Sequence, residues 1–276
     1  MKKFERLMRK GKKYFRRITG MKRQVFDKIL NILRSELKKK HAKGGRPPKL
    51  PLEYILLAVL EYWREYRTYA AIGAWLDLDE SNIYRWVIWC ENVLMASRQF
   101  TLRGKKALFS GEYEVIQIDA TETPIERPKK GQRKYYSGKK KDHTIKSQIV
   151  VDKATGEIIC VKICEGKRHD FKLFKDSKLP IAKGTKVEID SGYQGIKNIH
   201  INSEHPKKKP KKGKLNKEEK AENRRISKSR VTNEHVIGFM KRFNILSNRY
   251  RNRRRRFGLR LNLIAAICNM DRKVAD

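Results

Sequence analysis

The chain has 276 residues, of which 68 are lysine or arginine and 30 are aspartate or glutamate, so its formal net charge is +38. This length allows a catalytic domain of ordinary size and a smaller helical module. The positive charge far exceeds what solubility requires and predicts a polyanion as partner. The N-terminus lacks the apolar stretch of a signal peptide, and no segment approaches the roughly 18 apolar residues of a membrane span. We therefore expect a cytoplasmic protein with no membrane partner.

The first 44 residues form a predicted basic helical region. Apolar residues recur at helical spacing within residues 21–40, which predicts one amphipathic helix. They are Val25, Ile29, Leu33 and Leu37. The segment GGRPPK at 44–49 then ends the helix. Its two prolines favour a linker, although a Gly-Arg-Pro core can also enter an AT-rich minor groove.

Three helical stretches follow between Leu52 and Ser97, in a module that we place at residues 45–105. Thr68 is positioned to cap the second stretch and Asp79 the third. This spacing is typical of a helix-turn-helix, whose third stretch would lie in the major groove of double-stranded DNA. A plain helical bundle is the alternative. The residues expected near base edges or phosphates are Ser81, Asn82, Tyr84 and Arg85. Under either interpretation three tryptophans are assigned to the core: Trp75, Trp86 and Trp89.

After Ser110 the sequence changes to alternating segments rich in β-branched residues, which predict strands. Asp152 to Gly156 predicts a hairpin turn between two of them. A helix is predicted near HDFKLFKDSK and further helices from about Glu218. Strands mixed with helices predict an α/β domain at residues 110–272, with a central sheet flanked by helices. The lysine-rich stretch 204–217 has almost nothing to bury and predicts a mobile insertion with solvated charges, which could also contact phosphate transiently.

The four cysteines match neither a CxxC pair nor a zinc-ligand pattern. They are Cys90, Cys160, Cys164 and Cys268. Cys160 and Cys164 have the spacing of one strand face. We expect all four to be reduced residues of the core.

Two of the predicted strands end in an aspartate. In VIQID, Ile116 and Ile118 share one face of the strand and Asp119 lies on the other. KVEID repeats this pattern and ends in Asp190. If the two strands are parallel neighbours, the aspartates stand side by side and repel each other unless a proton or a cation intervenes. Such oxygen ligands favour a hard divalent metal ion.

A third acid, Glu234, lies on a helix predicted after the second of these strands. Arg230, Glu234 and Lys241 are spaced to share one helical face, which places a carboxylate between two cations. For a helix taken alone, a row of surface salt bridges is the ordinary interpretation. The two strand-end aspartates make a catalytic role for Glu234 the better one.

Several segments together resemble the DDE transposases of the insertion-sequence-five type, which are distantly similar to eukaryotic Harbinger transposases. The resemblance extends from about Gly45 to Asp271, and YWREYRTYAAIG is similar to the DNA-binding module of that family. Its other segments are IDATETPI at 118–125, GKRHDF at 166–171, IDSGYQG at 189–195, and the arrangement of Arg230, Glu234 and Lys241. The resemblance implies an RNase H-like mixed sheet flanked by helices, preceded by the all-α helix-turn-helix module. Asp119 is then on the first strand, Asp190 on the fourth and Glu234 on a later helix.

The three acids predict a metal-dependent endonuclease and strand transferase. We expect two Mg²⁺ ions, which Mn²⁺ can replace, with Asp119 bridging both, Asp190 holding one and Glu234 the other. Arg230 and Lys241 would bind the phosphates beside the scissile bond. The expected partners are the element's terminal inverted repeats and target DNA. Synapsis of two ends makes a homodimer or larger assembly the expected state, in the nucleoid.

Other acids compete for these roles. The strand period places Glu122 on the face opposite Asp119, and Glu188 is expected to support the metal ligands or face solvent. Asp170 is predicted to cap a helix and His169 to pack against it. His235 points elsewhere around its helix and is assigned no chemistry.

Other functions compete as well. A DNA-binding protein descended from a transposase that no longer cuts would gain nothing from three clustered carboxylates facing a polyanion. A ribosome- or RNA-associated basic protein would not explain two strands that end in aspartate. A simple metal-dependent nuclease stays open, and strand-transfer products would separate it from a transposase.

Overall fold

The computed structural model describes residues 2–42, 44, 47–209 and 213–274. The chain divides into two units. The first contains Met1–Thr101, Met240–Asn248 and Leu259–Asp276, and the second contains Leu102–Phe239 and Arg249–Gly258.

The first unit is helical. It contains α1 (Lys2–Arg9), α2 (Lys12–Thr19), α3 (Arg23–Ala42), α4 (Leu52–Leu60) with a π-helical turn at Glu61–Glu65, α5 (Tyr69–Leu76) and α6 (Glu80–Ala96). Both predicted caps are confirmed: the Thr68 side chain accepts from the Ala71 N–H, and that of Asp79 accepts from the Ser81 N–H. No helix among the described residues has the length and apolar character needed to cross a membrane.

The predicted tryptophan core is wrong for Trp75, Trp86 and Trp89, which are only partly buried. Helix α6 instead packs through a buried row one residue away from them, made of Ile83, Val87, Cys90 and Leu94. Trp86 and Trp89 therefore lie on the flank of the helix, in an edge-to-face contact with ring centroids 5.3 Å apart. The tryptophan that fills the core is Trp63, in the π-helical turn.

The second unit is built on a six-stranded mixed sheet, which confirms the predicted α/β class. The strands are β1 (Val115–Pro124), β2 (Tyr136–Ser137), β3 (Asp142–Asp152), β4 (Ile158–Glu165), β5 (Lys186–Ile189) and β6 (Ser203–Glu204). The order is β4-β3-β1-β5-β6, and β2 pairs with the beginning of β3. Strand β3 is antiparallel to β1 and β4, whereas β5 is parallel to both β1 and β6.

Further helices follow or interrupt these strands. They are α7 (Gln132–Tyr135), α8 (Asp170–Ser177), α9 (Lys217–Ser229), α10 (Val231–Lys241) and α11 (Phe257–Lys273). The predicted hairpin between β3 and β4 is confirmed, since the Gly156 N–H donates to the Asp152 carbonyl at 2.8 Å. On the sheet, Ile116, Ile118 and Val187 are fully buried in one core with Phe174 of α8, as the strand period predicts.

From Leu259 onward α11 belongs to the first unit, although the sequence placed residues up to 272 in the catalytic domain. Its central turns are apolar and buried. Arg260, which is 2% exposed, forms an ion pair with Glu91 of α6 at 2.7 Å. A buried guanidinium requires a partner in the same core, so this pair ties α11 to the first unit.

The described ends of the predicted lysine-rich insertion are tied to ordered elements. Lys207 exchanges main-chain hydrogen bonds with the side chain of Asn223 on α9 at 2.7 and 2.9 Å. Asn216 begins α9 in a capping box with Glu219. Residues 210–212 of this stretch lie outside the described residues, as do Gly45 and Arg46 of the segment considered for minor-groove binding.

The cysteines are free thiols, as predicted. Cys90, Cys160 and Cys268 are buried and Cys164 is partly buried. Burial raises the pKa of Cys160 to about 12 and that of Cys164 to about 11. These thiols therefore stay protonated near neutral pH and are poor nucleophiles.

Candidate active site

Asp119 and Asp190 lie side by side where two parallel strands run in register. Ile118 of β1 pairs with Ile189 of β5, so the next residue on each strand is an aspartate. The Asp190 carboxylate also accepts from the Ser191 N–H at 2.6 Å and so caps the short turn that follows β5. The parallel arrangement considered from the sequence is therefore present. The predicted strand end at Asp119 is wrong, because β1 continues to Pro124 along its pairing with β3.

A buried polar network lies one pleat earlier on the same face of the sheet. Gln117 and Glu188 are register partners, and the Gln117 amide donates to Glu188 Oε2 at 2.8 Å and to the Ser229 carbonyl at 2.7 Å. Lys153 Nζ donates to Glu188 Oε1 at 2.7 Å. Glu188 is 1% exposed, so it is a buried anchor for the end of α9.

This anchoring brings Arg230 to the aspartates. Its guanidinium lies 3.6 Å from Asp119 Oδ2 and 3.5 Å from Asp190 Oδ1. Arg230 is the C-cap of α9, between that helix and α10, and it is 8% exposed. Arg230 precedes the helix that carries Glu234, and its carbonyl accepts from the Asn233 N–H at 3.1 Å and the Glu234 N–H at 3.5 Å.

Glu234 does not join the two aspartates. It is exposed on the first turn of α10. Among the residues that the structure describes, no three acidic, histidine or cysteine side chains lie close enough to hold a metal ion. The neighbouring Asn233 is the buried residue of this turn, and its N–H donates to Gln117 Oε1 at 3.0 Å. Lys241, the last residue of α10, is partly buried.

Asp119 lies in a site that disfavours its negative charge. Burial is the main cause that raises its pKa, and the carboxylates of Asp190 and Asp170 raise it further, while Arg230 and the Ala120 N–H act in the opposite direction. Adjacent carboxylate oxygens in such a place suit a hard divalent cation. The donor set therefore fits a metal ion at two of the three predicted positions.

Asp170 also belongs to this acidic region, although its sequence position predicted a helix cap. It begins α8 after His169, which forms no side-chain cap and is exposed, so the predicted capping by Asp170 and packing by His169 are both wrong. Asp170 instead forms an ion pair at 2.7 Å with Lys146, a buried residue of β3. Glu122, on the opposite face from Asp119 as predicted, lies 3.7 Å from the same lysine.

Two glycines lie where another side chain approaches so closely that a larger residue would not fit without a shift. A Cβ on Gly166 would lie 1.9 Å from Thr144 Oγ1, and a Cβ on Gly192 would lie 3.2 Å from Asp170 Oδ2. Tyr193 follows, fully buried, and burial together with Asp170 and the two aspartates of the site raises its pKa well above the ordinary value. The presence of Asp170 in GKRHDF was the only signal in the sequence that could have found it.

The residues predicted to contact DNA are accessible in the first two turns of α6. Ser81, Tyr84 and Arg85 are exposed and Asn82 is partly exposed. Tyr84 is 51% exposed and has an edge-to-face contact with Tyr69 of α5.

Two family models match the chain. DDE superfamily endonuclease matches residues 118–269, and the helix-turn-helix of DDE superfamily endonuclease matches residues 48–99. A probable transposase for an insertion sequence element of Microchaete diplosiphon is 48% identical over 271 residues, which are 98% of each chain. The chain belongs to the insertion-sequence transposases. A relative from Streptomyces albus G with a similar description is 27% identical over 231 residues, 83% of each chain.

The matched ranges assign the parts of this transposase. The helix-turn-helix match covers α4, α5 and α6, which confirms the predicted DNA-binding module. The endonuclease match begins at the residue before Asp119 and includes Asp190 and Glu234. DDE superfamily endonucleases generally use divalent metal ions.

Glu188 should make the stability of this transposase depend on pH. Burial alone would raise the pKa of Glu188, but hydrogen bonds from Lys153, Gln117 and Ser229 outweigh it and hold the pKa below the ordinary value. The contribution of Glu188 to the free energy of unfolding is therefore complete above the unfolded-state pKa of about 4.3. It is lost as pH falls through the lower pKa of the folded state. We expect Glu188→Gln to lower the free energy of unfolding by about 1–3 kcal/mol at pH 7 and by less at pH 3.

Urea unfolding at several pH values measures this effect. Glu112→Gln is the matched control, because that carboxylate is 61% exposed and pairs with exposed Arg103 at 2.9 Å. An equal loss of stability in both variants, or a Glu188→Gln loss that is independent of pH, would contradict the role of Glu188.

Proposed function

We propose that this transposase cuts the ends of its element and joins the freed 3′-hydroxyls to target DNA, by metal-dependent hydrolysis and transesterification at Asp119, Asp190 and Glu234. The observation that carries the proposal is the side-by-side position of the two aspartates, Asp119 within β1 and Asp190 directly after β5. Their negative charge is useful to an enzyme that binds a polyanion only if a cation is held between them.

The carboxylates of Asp119 and Asp190 would hold Mg²⁺, which Mn²⁺ can replace, with two ions in the complete site. The bound metal supplies Lewis acidity and an activated water or 3′-hydroxyl. Gln117 and Glu188 keep the two strand ends in register below the site. These residues make the sheet edge a rigid platform for an in-line displacement.

In this proposal, Arg230 leaves the aspartates to bind phosphate, and Glu234 moves toward them. Arg230 carries five donors in a planar fork, so its guanidinium can exchange the two carboxylates for a DNA phosphate. The ammonium group of Lys241 would bind a second phosphate. Glu234 would be the third residue to hold the metal ion if the first turn of α10 rotated about the junction at Arg230. That junction is the single residue between α9 and α10, so a change in its backbone angles would reorient the turn that carries Glu234.

The helix-turn-helix would recognise the terminal inverted repeats. Ser81, Asn82, Tyr84 and Arg85 supply hydroxyl, amide and guanidinium groups at the beginning of α6, where a recognition helix meets base edges and phosphates. Two ends must be held together before joining, so we propose a homodimer or larger synaptic assembly.

Within the family, we propose the insertion-sequence-five type, distantly similar to Harbinger transposases. Three of the motif segments that carry this assignment supply groups near the paired aspartates: IDATETPI, GKRHDF and IDSGYQG. The physical connection among them supports a shared catalytic arrangement rather than three chance matches.

Cleavage of supercoiled plasmid carrying the element's own ends tests the proposal. We expect cuts at the ends with Mg²⁺ or Mn²⁺, none with EDTA, and joined products when a target plasmid is added. Cuts without joined products would indicate a simple nuclease. Salt-sensitive binding without any cuts would indicate a DNA-binding protein that no longer cleaves, which the exposed position of Glu234 would then explain.

Glu234→Gln should abolish cleavage and leave DNA binding unchanged, because the amide keeps the shape of the side chain and removes its charge as a ligand. Glu218→Gln, at an exposed position on α9, is the matched control. Full cleavage by Glu234→Gln together with loss of cleavage by Asp170→Asn would reassign the third acid to Asp170.

A further inference from the structure

A cleft of about 890 Å³ in the first unit is lined mainly by positively charged side chains. It lies where α1 ends, α2 begins and α3 begins, with Arg64 and Arg242 completing its wall. Ten of its fourteen described lining residues are lysine or arginine, and Asp27 is the one acid among them. So many like charges around one cleft repel each other unless an anion enters.

The inner wall brings several guanidinium groups close to one buried carboxylate. Asp271 is fully buried and accepts from Arg16 at 2.8 Å, and Arg242 lies 4.0 Å from the same carboxylate. Arg64 adds a third guanidinium to this group. Burial is the main cause that lowers the pKa of Arg242, and repulsion by Arg16 and Arg64 contributes. Arg64 also pairs with Glu65 at 3.4 Å, and the guanidinium groups of this wall still lie close enough to repel one another.

Two donors in the wall are buried and unused. The Nε atoms of Arg23 and Arg64 have no hydrogen-bond partner among the described residues. Arg23 is held in place by donating from Nη2 to the Met8 carbonyl at 2.9 Å. Buried donors without a partner need an explanation, and a bound anion supplies one.

The mouth of the cleft is accessible to a large ligand. Lys12, Lys13 and Arg17 of α2 line it and are exposed. Helix α2 begins after Gly11, which provides no side-chain cap, so the first-turn N–H groups add to the attraction for an anion. No aromatic side chain is among the described lining residues, so a nucleotide base would find no stacking surface.

We propose that this cleft binds the phosphodiester backbone of DNA, as a second DNA contact outside the helix-turn-helix. The match to that module begins at residue 48, after α1, α2 and α3. Arginine and lysine without stacking partners recognise phosphate independently of sequence. Free polyphosphate shares this chemistry, and the inference rests on the proposed function of DNA binding.

A charge-matched pair of variants tests the cleft. Lys13→Gln with Arg17→Gln removes two exposed cations one turn apart on α2, and Arg6→Gln with Lys38→Gln removes two exposed cations that do not line the cleft. For a nonspecific duplex, the slope of log affinity against log salt should fall by about 1.8, or about 0.9 for each lost phosphate contact. The control pair should keep the wild-type slope.

Thermal unfolding with inorganic tripolyphosphate separates the two sources of phosphate. The unfolding midpoints without ligand should agree among all three proteins, because the substituted side chains are exposed. Equal salt slopes in the two variants would overturn the proposal. The proposal would also be overturned if the cleft variant lost its stabilisation by tripolyphosphate but kept the wild-type salt slope on DNA. Failure of the wild type to bind DNA at all would instead contradict the proposed function.

Discussion

Asp119→Asn should abolish cleavage at the element's ends while leaving DNA binding intact or slightly stronger. The amide keeps the size of the side chain and an oxygen for the Ala120 N–H, which donates to Asp119 at 2.8 Å. It loses the negative charge that would hold a metal ion. We expect a loss of at least the roughly 10²–10³-fold seen when one electrostatic group is removed from an active site.

The folded state should tolerate this change. Because burial raises the pKa of Asp119 despite the attraction of Arg230, the folded protein disfavours the ionised carboxylate at neutral pH. A neutral amide of the same shape therefore leaves the free energy of unfolding unchanged or raises it slightly.

Plasmid cleavage, duplex binding and urea unfolding of one preparation measure the three expectations together. Asp176→Asn is the matched control, since that carboxylate lies on α8 with a side chain that is 41% exposed. Cleavage by Asp119→Asn at the wild-type level would show that Asp119 is not part of the active site. Loss of cutting together with unfolding would show only a structural role.

The paired aspartates could be predicted because they depend on local rules. Alternation along a strand places Asp119 and Asp190 opposite their apolar neighbours, and the repeated pattern VIQID and KVEID brings them together once the strands pair in parallel register. The caps at Thr68 and Asp79 are similarly local, since a side-chain oxygen needs only the N–H groups two or three residues ahead.

The features that the sequence missed depend on contacts between distant residues. Helix periodicity continues through Arg230, but docking of Ser229 on Glu188, 41 residues away, ends α9 there. Asp170 stands at a position typical of a helix cap, but its carboxylate instead accepts a hydrogen bond from Lys146, 24 residues earlier in the chain. Periodicity identifies which face of an element is buried, but it does not say which buried charges find each other.

Glu91→Leu should destabilise the first unit by about 3–5 kcal/mol, because it leaves a buried charge without a counter-ion. Arg260 is 2% exposed, and its Nε donates to Glu91 Oε1 at 2.7 Å. Trp63 Nε1 donates to the same oxygen at 3.2 Å and would lose its acceptor. Tyr62, 3.1 Å from Arg260 Nη1, cannot replace the lost negative charge.

The companion substitution distinguishes an unpaired charge from a packing defect. Glu91→Leu with Arg260→Met removes both charges and should recover most of the lost stability, since apolar residues of similar volume often replace a buried pair without loss. Urea unfolding followed by far-ultraviolet circular dichroism measures the cycle. Glu53→Ala, which breaks the more exposed pair with Arg34, should change the free energy of unfolding by less than about 1 kcal/mol. If Glu91→Leu lowers the free energy of unfolding no more than Glu53→Ala does, the ion pair does not hold α11 to α6. If the double variant is as unstable as Glu91→Leu alone, the loss comes from packing rather than charge.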